Sequence, residues 1–113
     1  MKPTPPTMRD KKRYIAFRVF CDSEITKKDV INAIIDSAHN FFGELTMSKF
    51  NLWVNDFDED KKRGFLVCNQ KYKSEVITCL TLINNVNGMK THLNILGVSG
   101  TIKALKRKFL NDY

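Results

Sequence analysis

Two hydroxyl residues around a glycine, Ser99-Gly100-Thr101, stand directly ahead of Ile102-Lys103-Ala104-Leu105-Lys106-Arg107-Lys108-Phe109. Where a helix starts, its first backbone N–H groups lack intrahelical partners and the positive end of its dipole is presented. A hydroxyl-rich turn there suits a phosphate. The four cations Lys103, Lys106, Arg107 and Lys108 follow within two turns and supply charge that neutralises a polyanion. The same residue types also make an ordinary N-cap, with Gly100 serving a tight turn, and the sequence leaves both readings open.

Elsewhere the chemistry-bearing residues do not assemble into a catalytic set. Cys21, Cys68 and Cys79 are odd in number, widely spaced and embedded in apolar patterns, with no CxxC pair. They read as buried reduced thiols rather than as a disulfide framework or a zinc site. His39 and His92 are isolated, which favours surface or packed histidines over a general base. Asp56, Asp58, Glu59 and Asp60 lack the spaced oxygens and turn glycine of a calcium loop, so they read as a solvated hairpin. No catalytic residue and no metal ligand is assigned.

Charge is distributed unevenly. Residues 1–13 carry five cations against one carboxylate, residues 100–113 carry four against one, and the rest of the chain holds ten of each. The whole formal charge of +7 therefore lies at the two ends. A neutral body with basic extremities fits a domain that presents cations to a polyanion, most often nucleic acid; the plainer reading is a pair of solvated tails.

The 113 residues suffice for one domain with one core. No run of 18 or more apolar residues is present, so no membrane-spanning helix is expected. Pro3, Pro5 and Pro6 read as a disordered lead-in without the apolar core of a signal peptide, and an intracellular, cytoplasmic location is expected.

These candidate residues must be positioned by a small set of elements. Arg13–Cys21 alternates aromatic and β-branched residues, with Ile15, Phe17, Val19 and Cys21 on one face and Tyr14, Ala16, Arg18 and Phe20 on the other, which reads as a central strand. Thr26 with Asp29 three residues on resembles a capping box, and Val30, Ile31, Ile34, Ile35, Ala38, Phe41 and Phe42 recur at helical spacing until Gly43. Strands are expected over 50–55 and 64–69, a second helix after Ser74 as N-cap, and a fourth strand from about Thr91 to Val98. The order strand, helix, strand, strand, helix, strand is that of an α+β, ferredoxin-like or RNA-recognition-type βαββαβ sandwich with a four-stranded antiparallel sheet. The division expected is a flexible basic arm over 1–12, the ferredoxin-like domain over 13–99, and an added basic helix over 100–113.

In such a fold the open sheet face can stack single-stranded bases, which makes a single-strand RNA binder using Tyr14, Phe20 and Phe65 one reading. Arg63-Gly64-Phe65 begins like the signature of that class, and Leu66-Val67-Cys68 does not continue it. The C-terminal helix is the natural cover for that face, with Ile102, Leu105 and Phe109 packed inward and the cations turned out.

The strand Arg13-Tyr14-Ile15-Ala16-Phe17, the strand Gly64-Phe65-Leu66-Val67-Cys68 and above all Val98-Ser99-Gly100-Thr101-Ile102-Lys103 resemble the Pop-five-type protein subunit of archaeal and eukaryotic ribonuclease P, over about residues 13–109. The resemblance implies a noncatalytic subunit that binds and stabilises the catalytic RNA during removal of the 5′ leader of precursor tRNA. Hydrolysis would then be performed by the RNA with its magnesium ions, and the protein would bind no cofactor itself. It further implies a larger TIM-barrel-like protein partner and homodimerisation within a heterotetramer; a eukaryotic source would make the location nuclear or nucleolar, while the lack of long insertions favours the compact archaeal form.

On this reading RNA contacts are expected from Lys11, Lys12, Arg13, Arg18, Ser99, Gly100, Thr101, Lys103, Lys106, Arg107 and Lys108. Phe50, Leu52, Trp53 and Phe57 give one segment surplus aromatic content and are expected at a protein interface, or else in the core. A ferredoxin-like regulatory or metabolite-binding domain with an incidental basic tail is the alternative from a different class.

Overall fold

The computed structural model describes residues 11–110. Within it, strand β1 (Lys12–Phe20) leads to helix α1 (Lys27–Met47), strands β2 (Trp53–Asp58) and β3 (Arg63–Asn69), and helix α2 (Lys73–Thr81). A small hairpin of β4 (Asn85–Val86) and β5 (Met89–Lys90) precedes the long strand β6 (His92–Ser99), and helix α3 (Ile102–Phe109) ends the described chain. The main sheet has the order β2-β3-β1-β6 with every neighbouring pair antiparallel, so β1 is central as its two apolar faces require.

The two faces of β1 feed separate cores. Ile15, Phe17 and Val19 pack with Val30, Ile34 and Ala38 of α1 and Val76, Cys79 and Leu80 of α2. The opposite face places Ala16 and Phe65 against Leu105 and Leu110, with Tyr14, Leu96, Ile102 and Phe109 around them. The sheet is thus a middle layer, with α1 and α2 on one side and α3 on the other.

Local chemistry sets the element ends. Thr26 accepts from the Asp29 N–H at 3.2 Å and the Asp29 carboxylate accepts from the Thr26 N–H at 3.2 Å, a complete capping box. Glu59 from the β2–β3 turn accepts from the Lys27 N–H at 2.9 Å, so one hairpin carboxylate caps α1, and Asp58 accepts from Asp60 and Lys61 N–H within its own turn. Gly43 adopts φ 78° and ψ 165° and breaks α1, after which a short run continues to Met47.

Several expectations shift. The second strand begins at Trp53 rather than at residue 50, because Ser48–Phe50 forms a 3-10 turn and Asn51 takes a left-handed conformation that stops an extended run. Ser74 lies inside α2, which starts one residue earlier with no side-chain cap. Of the arm expected over 1–12, only Lys11 and Lys12 are among the described residues: Lys12 opens β1, and just ahead of it the Lys11 carbonyl accepts from the Gln70 N–H at 2.7 Å.

Candidate nucleic-acid interface

Helix α3 is held by its apolar stripe. Leu105 is fully buried, Leu110 nearly so, and Ile102 and Phe109 are partly buried beside them. The far end of the Phe109 ring closes on the backbone of Gly97, in the space a Cβ there would fill. The register between β1 and β6 slips at this point, Ala16 pairing with Gly97 and Phe17 with Ile95, so Leu96 is the extra residue of a bulge. The aromatic side chain and the missing Cβ fix where the helix crosses the sheet.

The helix start is capped from within. Thr101 has an extended backbone, and its hydroxyl oxygen accepts from the Ala104 N–H at 3.2 Å while its carbonyl accepts from the Leu105 N–H at 3.1 Å. Ser99 Oγ accepts from the Thr101 N–H at 3.4 Å. The two hydroxyl oxygens therefore serve the turn as acceptors and keep their O–H groups as donors. In the first turn, the Ile102 and Lys103 N–H groups point along the helix axis toward whatever lies before the N-terminus.

Arg13 stands beside the turn that precedes the helix. Antiparallel pairing sets Tyr14 opposite Ser99, so the residue before Tyr14 meets the turn after Ser99. The Arg13 guanidinium, anchored by a 2.9 Å bond from Nη1 to the Lys12 carbonyl, comes within 3.5 Å of where a Gly100 Cβ would stand. Two segments some ninety residues apart thus meet where Arg13 stands beside Gly100, and Lys11, Lys12, Gly100, Thr101, Lys103, Arg107 and Lys108 are all exposed.

The remaining cations of the expected set behave differently. Lys106, four residues after Ile102, sits at the seam of the helix, and its ammonium lies 5.6 Å from the centroid of the Phe65 ring. Arg18 lies on the Ala16 face of β1, five residues along the strand from Arg13 and so on the opposite face, roughly 17 Å away at strand rise. It stands apart from the α3 start, with its guanidinium 5.0 Å from the Phe20 ring.

The expected protein-facing residues divide. Phe50 and Phe57 are core residues, at 0% and 6% exposure, which corrects the interface expectation for both. Phe50 rings meet Phe42 edge-on and Tyr72 at a tilt, and Phe57 stacks at 6.1 Å on Phe17. Leu52 is half-buried against the same core, whereas Trp53 is 70% exposed at the start of edge strand β2. Phe41 and Leu45 on α1 are further exposed apolar side chains, which the helical stripe drawn from spacing had turned inward in the case of Phe41.

Burial pushes the Cys68 and Cys79 thiols up to about 11, so both are neutral in the core at ordinary pH. Among the described residues no group of three or more His, Cys, Asp or Glu could hold a metal ion, and no helix is long and apolar enough to cross a membrane. Phe65 is 3% exposed beneath α3, which removes it from any open stacking surface and corrects the three-aromatic platform of the sheet-face reading. The seat at Gly97 and the position of Lys106 were not read from the sequence, although the Phe109 spacing pointed at the first and the i, i+4 relation to Ile102 at the second.

Comparison with known proteins places this arrangement. The family model described as the Rpp14/Pop5 family matches residues 13–110. Ribonuclease P protein component 2 of Pyrococcus furiosus is 44% identical over 112 residues, covering 99% of this chain and 93% of that protein. Its counterpart in Methanothermobacter thermautotrophicus is 37% identical over 116 residues, covering 97% and 94%. A chain in the cryo-EM structure of yeast ribonuclease MRP superposes with a TM-score of 0.69 at 11% identity, covering 93% of this chain and 89% of that one, and so shares the fold. The chain belongs to the Rpp14/Pop5 family.

Proposed function

We propose that this chain is a noncatalytic protein subunit of ribonuclease P that binds and stabilises the catalytic RNA during removal of the 5′ leader of precursor tRNA. The observation that carries the reading is the joint surface of Arg13, the Ser99–Thr101 turn and the outward cations of α3, in a chain whose relatives are named ribonuclease P components. Its mechanism is electrostatic and positional. The lysines neutralise phosphates and release counterions, while the Ile102 and Lys103 N–H groups and the Arg13 guanidinium supply directed donors to one phosphate at the helix start.

Phosphodiester hydrolysis belongs, on this reading, to the RNA and its magnesium ions, and the protein needs no nucleophile of its own. The larger TIM-barrel-like subunit and a second copy of this chain are the protein partners, with Trp53 as the exposed aromatic suited to such a contact. The regulatory-domain reading gains nothing from the structure, because the basic tail is docked and joined to Arg13.

Filter binding to ribonuclease P RNA tests the proposal. Arg13→Ala combined with Lys103→Ala should weaken binding while leaving the fold intact by circular dichroism. Unchanged affinity in that double variant would remove the joint surface as the RNA contact.

A further inference from the structure

Helix α3 covers only one half of the open sheet face. Pairing of Arg18 with Arg63 and Asn94, and of Phe20 with His92, puts these side chains on the same face as Ala16 and Phe65, beyond the reach of the helix. Phe20 is 45% exposed there. Its ring centroid is 6.3 Å from that of His92 at an interplanar angle of 32°, and the Arg18 guanidinium lies 5.0 Å from it. An aromatic ring, an imidazole and a planar guanidinium at the surface of a sheet are the parts of a base-stacking platform.

The platform borders a groove of about 1010 Å³ between the end of β1, the β2–β3 turn and the segment leading into β6. Arg18, Lys61, Lys62, Arg63 and Lys90 line it against the carboxylates of Asp22 and Asp60. The body of the chain, neutral along the sequence, is therefore locally basic here once folded. Lys62 builds the wall: its ammonium donates to the Cys21 and Ser23 carbonyls at 2.6 and 2.9 Å, and its carbonyl accepts from the Val19 N–H at 2.7 Å, holding a φ of 56°. Phe20 is the large apolar side chain left exposed in the lining, too little for the apolar centre of a protein interface. Positive charge around one stackable aromatic fits a single nucleic-acid strand better.

We propose that this half-face is a second RNA site, which takes unpaired nucleotides of a single strand by stacking a base against Phe20 and Arg18 with its phosphates toward Lys61 and Lys90. It rests on the reading of the chain as an RNA-binding subunit of ribonuclease P and adds a contact far from the α3 start. The test uses the full chain and two probes, ribonuclease P RNA and a fluorescein-labelled oligouridylate octamer containing 4-thiouridine. Phe20→Leu keeps an apolar side chain but removes the ring, and about tenfold weaker octamer binding is expected from it. Crosslinks should fall on peptides containing Phe20 or His92.

Unchanged octamer affinity in Phe20→Leu, or crosslinks confined to α3, overturns the second site and leaves the proposed function standing. Loss of association with a protein subunit in Phe20→Leu, with octamer binding unchanged, would assign the platform to protein and also overturns it. A wild-type chain that fails to bind ribonuclease P RNA overturns both readings.

Discussion

The cations of α3 should be unequal in their effect on RNA affinity, and salt dependence separates them. All four α3 cations are exposed, but the Lys106 ammonium lies 5.6 Å from the Phe65 ring centroid, at the seam between helix and sheet. Each phosphate neutralised contributes about 0.9 to the slope of log K against log salt on duplex, or about 0.7 on single strands. Replacing Lys103, Arg107 and Lys108 by alanine should therefore flatten the slope by about 2 to 3, equivalent to removing a roughly 20- to 40-fold loss of affinity between 50 and 200 mM salt. Lys106→Ala should change the slope by less than one contact's share, about 0.5 or less, because its ammonium is engaged with the Phe65 ring. Filter binding of ribonuclease P RNA across a salt series reads both. Equal slopes for the wild type and the triple variant, or a Lys106→Ala slope as altered as any other single variant, would refute this assignment of faces.

Other outcomes follow from packing and capping. Leu105→Ala should destabilise by about 2 to 4 kcal/mol in urea unfolding, since its side chain is fully buried in the small cluster under α3. Gly97→Ala should act on the same contact by driving Phe109 off the sheet, and a Gly97→Ala, Phe109→Ala double variant should show less than additive loss. Cys21 is half-buried, while Cys68 and Cys79 are buried with thiols raised to about 11; a thiol reagent at neutral pH should thus label Cys21 first and the other two only on unfolding. The Asp29 carboxyl is held below its ordinary range, first by a hydrogen bond with the Asn87 side chain and then by those with Thr26. Its stabilisation is present above the unfolded value and disappears as pH falls through the folded one, so Asp29→Asn should flatten the acid limb of a stability profile.

Much of this molecule was legible because its signals are local. The alternation in Arg13–Cys21, the Thr26–Asp29 box and the 102, 105, 109 stripe each involve residues a few positions apart, and each gives the expected element. The approach of Arg13 to Gly100 was also reachable, because the fold order implied that the first and last strands pair, although their antiparallel sense had to be established. Phe50 and Phe57 were misplaced for a different reason. Aromatic surplus in a segment does not distinguish core from interface, and the 3-10 turn at Ser48–Phe50 rotates Phe50 inward in a way no period of two expresses. The groove at the end of β1 was invisible because Arg18, Lys61 to Arg63 and Lys90 are dispersed among ten balancing carboxylates, and only the sheet register gathers them. The added hairpin of Asn85–Lys90 was hidden by its length, since two-residue strands carry no readable alternation.

On the proposed function, the docked basic helix and Arg13 hold the catalytic RNA in its working form. Cleavage of precursor tRNA by ribonuclease P RNA, reconstituted with the TIM-barrel-like subunit and with or without this chain at limiting magnesium, tests it most directly. Adding the chain should raise the cleavage rate and lower the magnesium requirement, and replacing Arg13, Lys103, Arg107 and Lys108 by alanine should remove most of that gain. The same rate and magnesium dependence with wild-type chain, four-cation variant or no chain at all would contradict it.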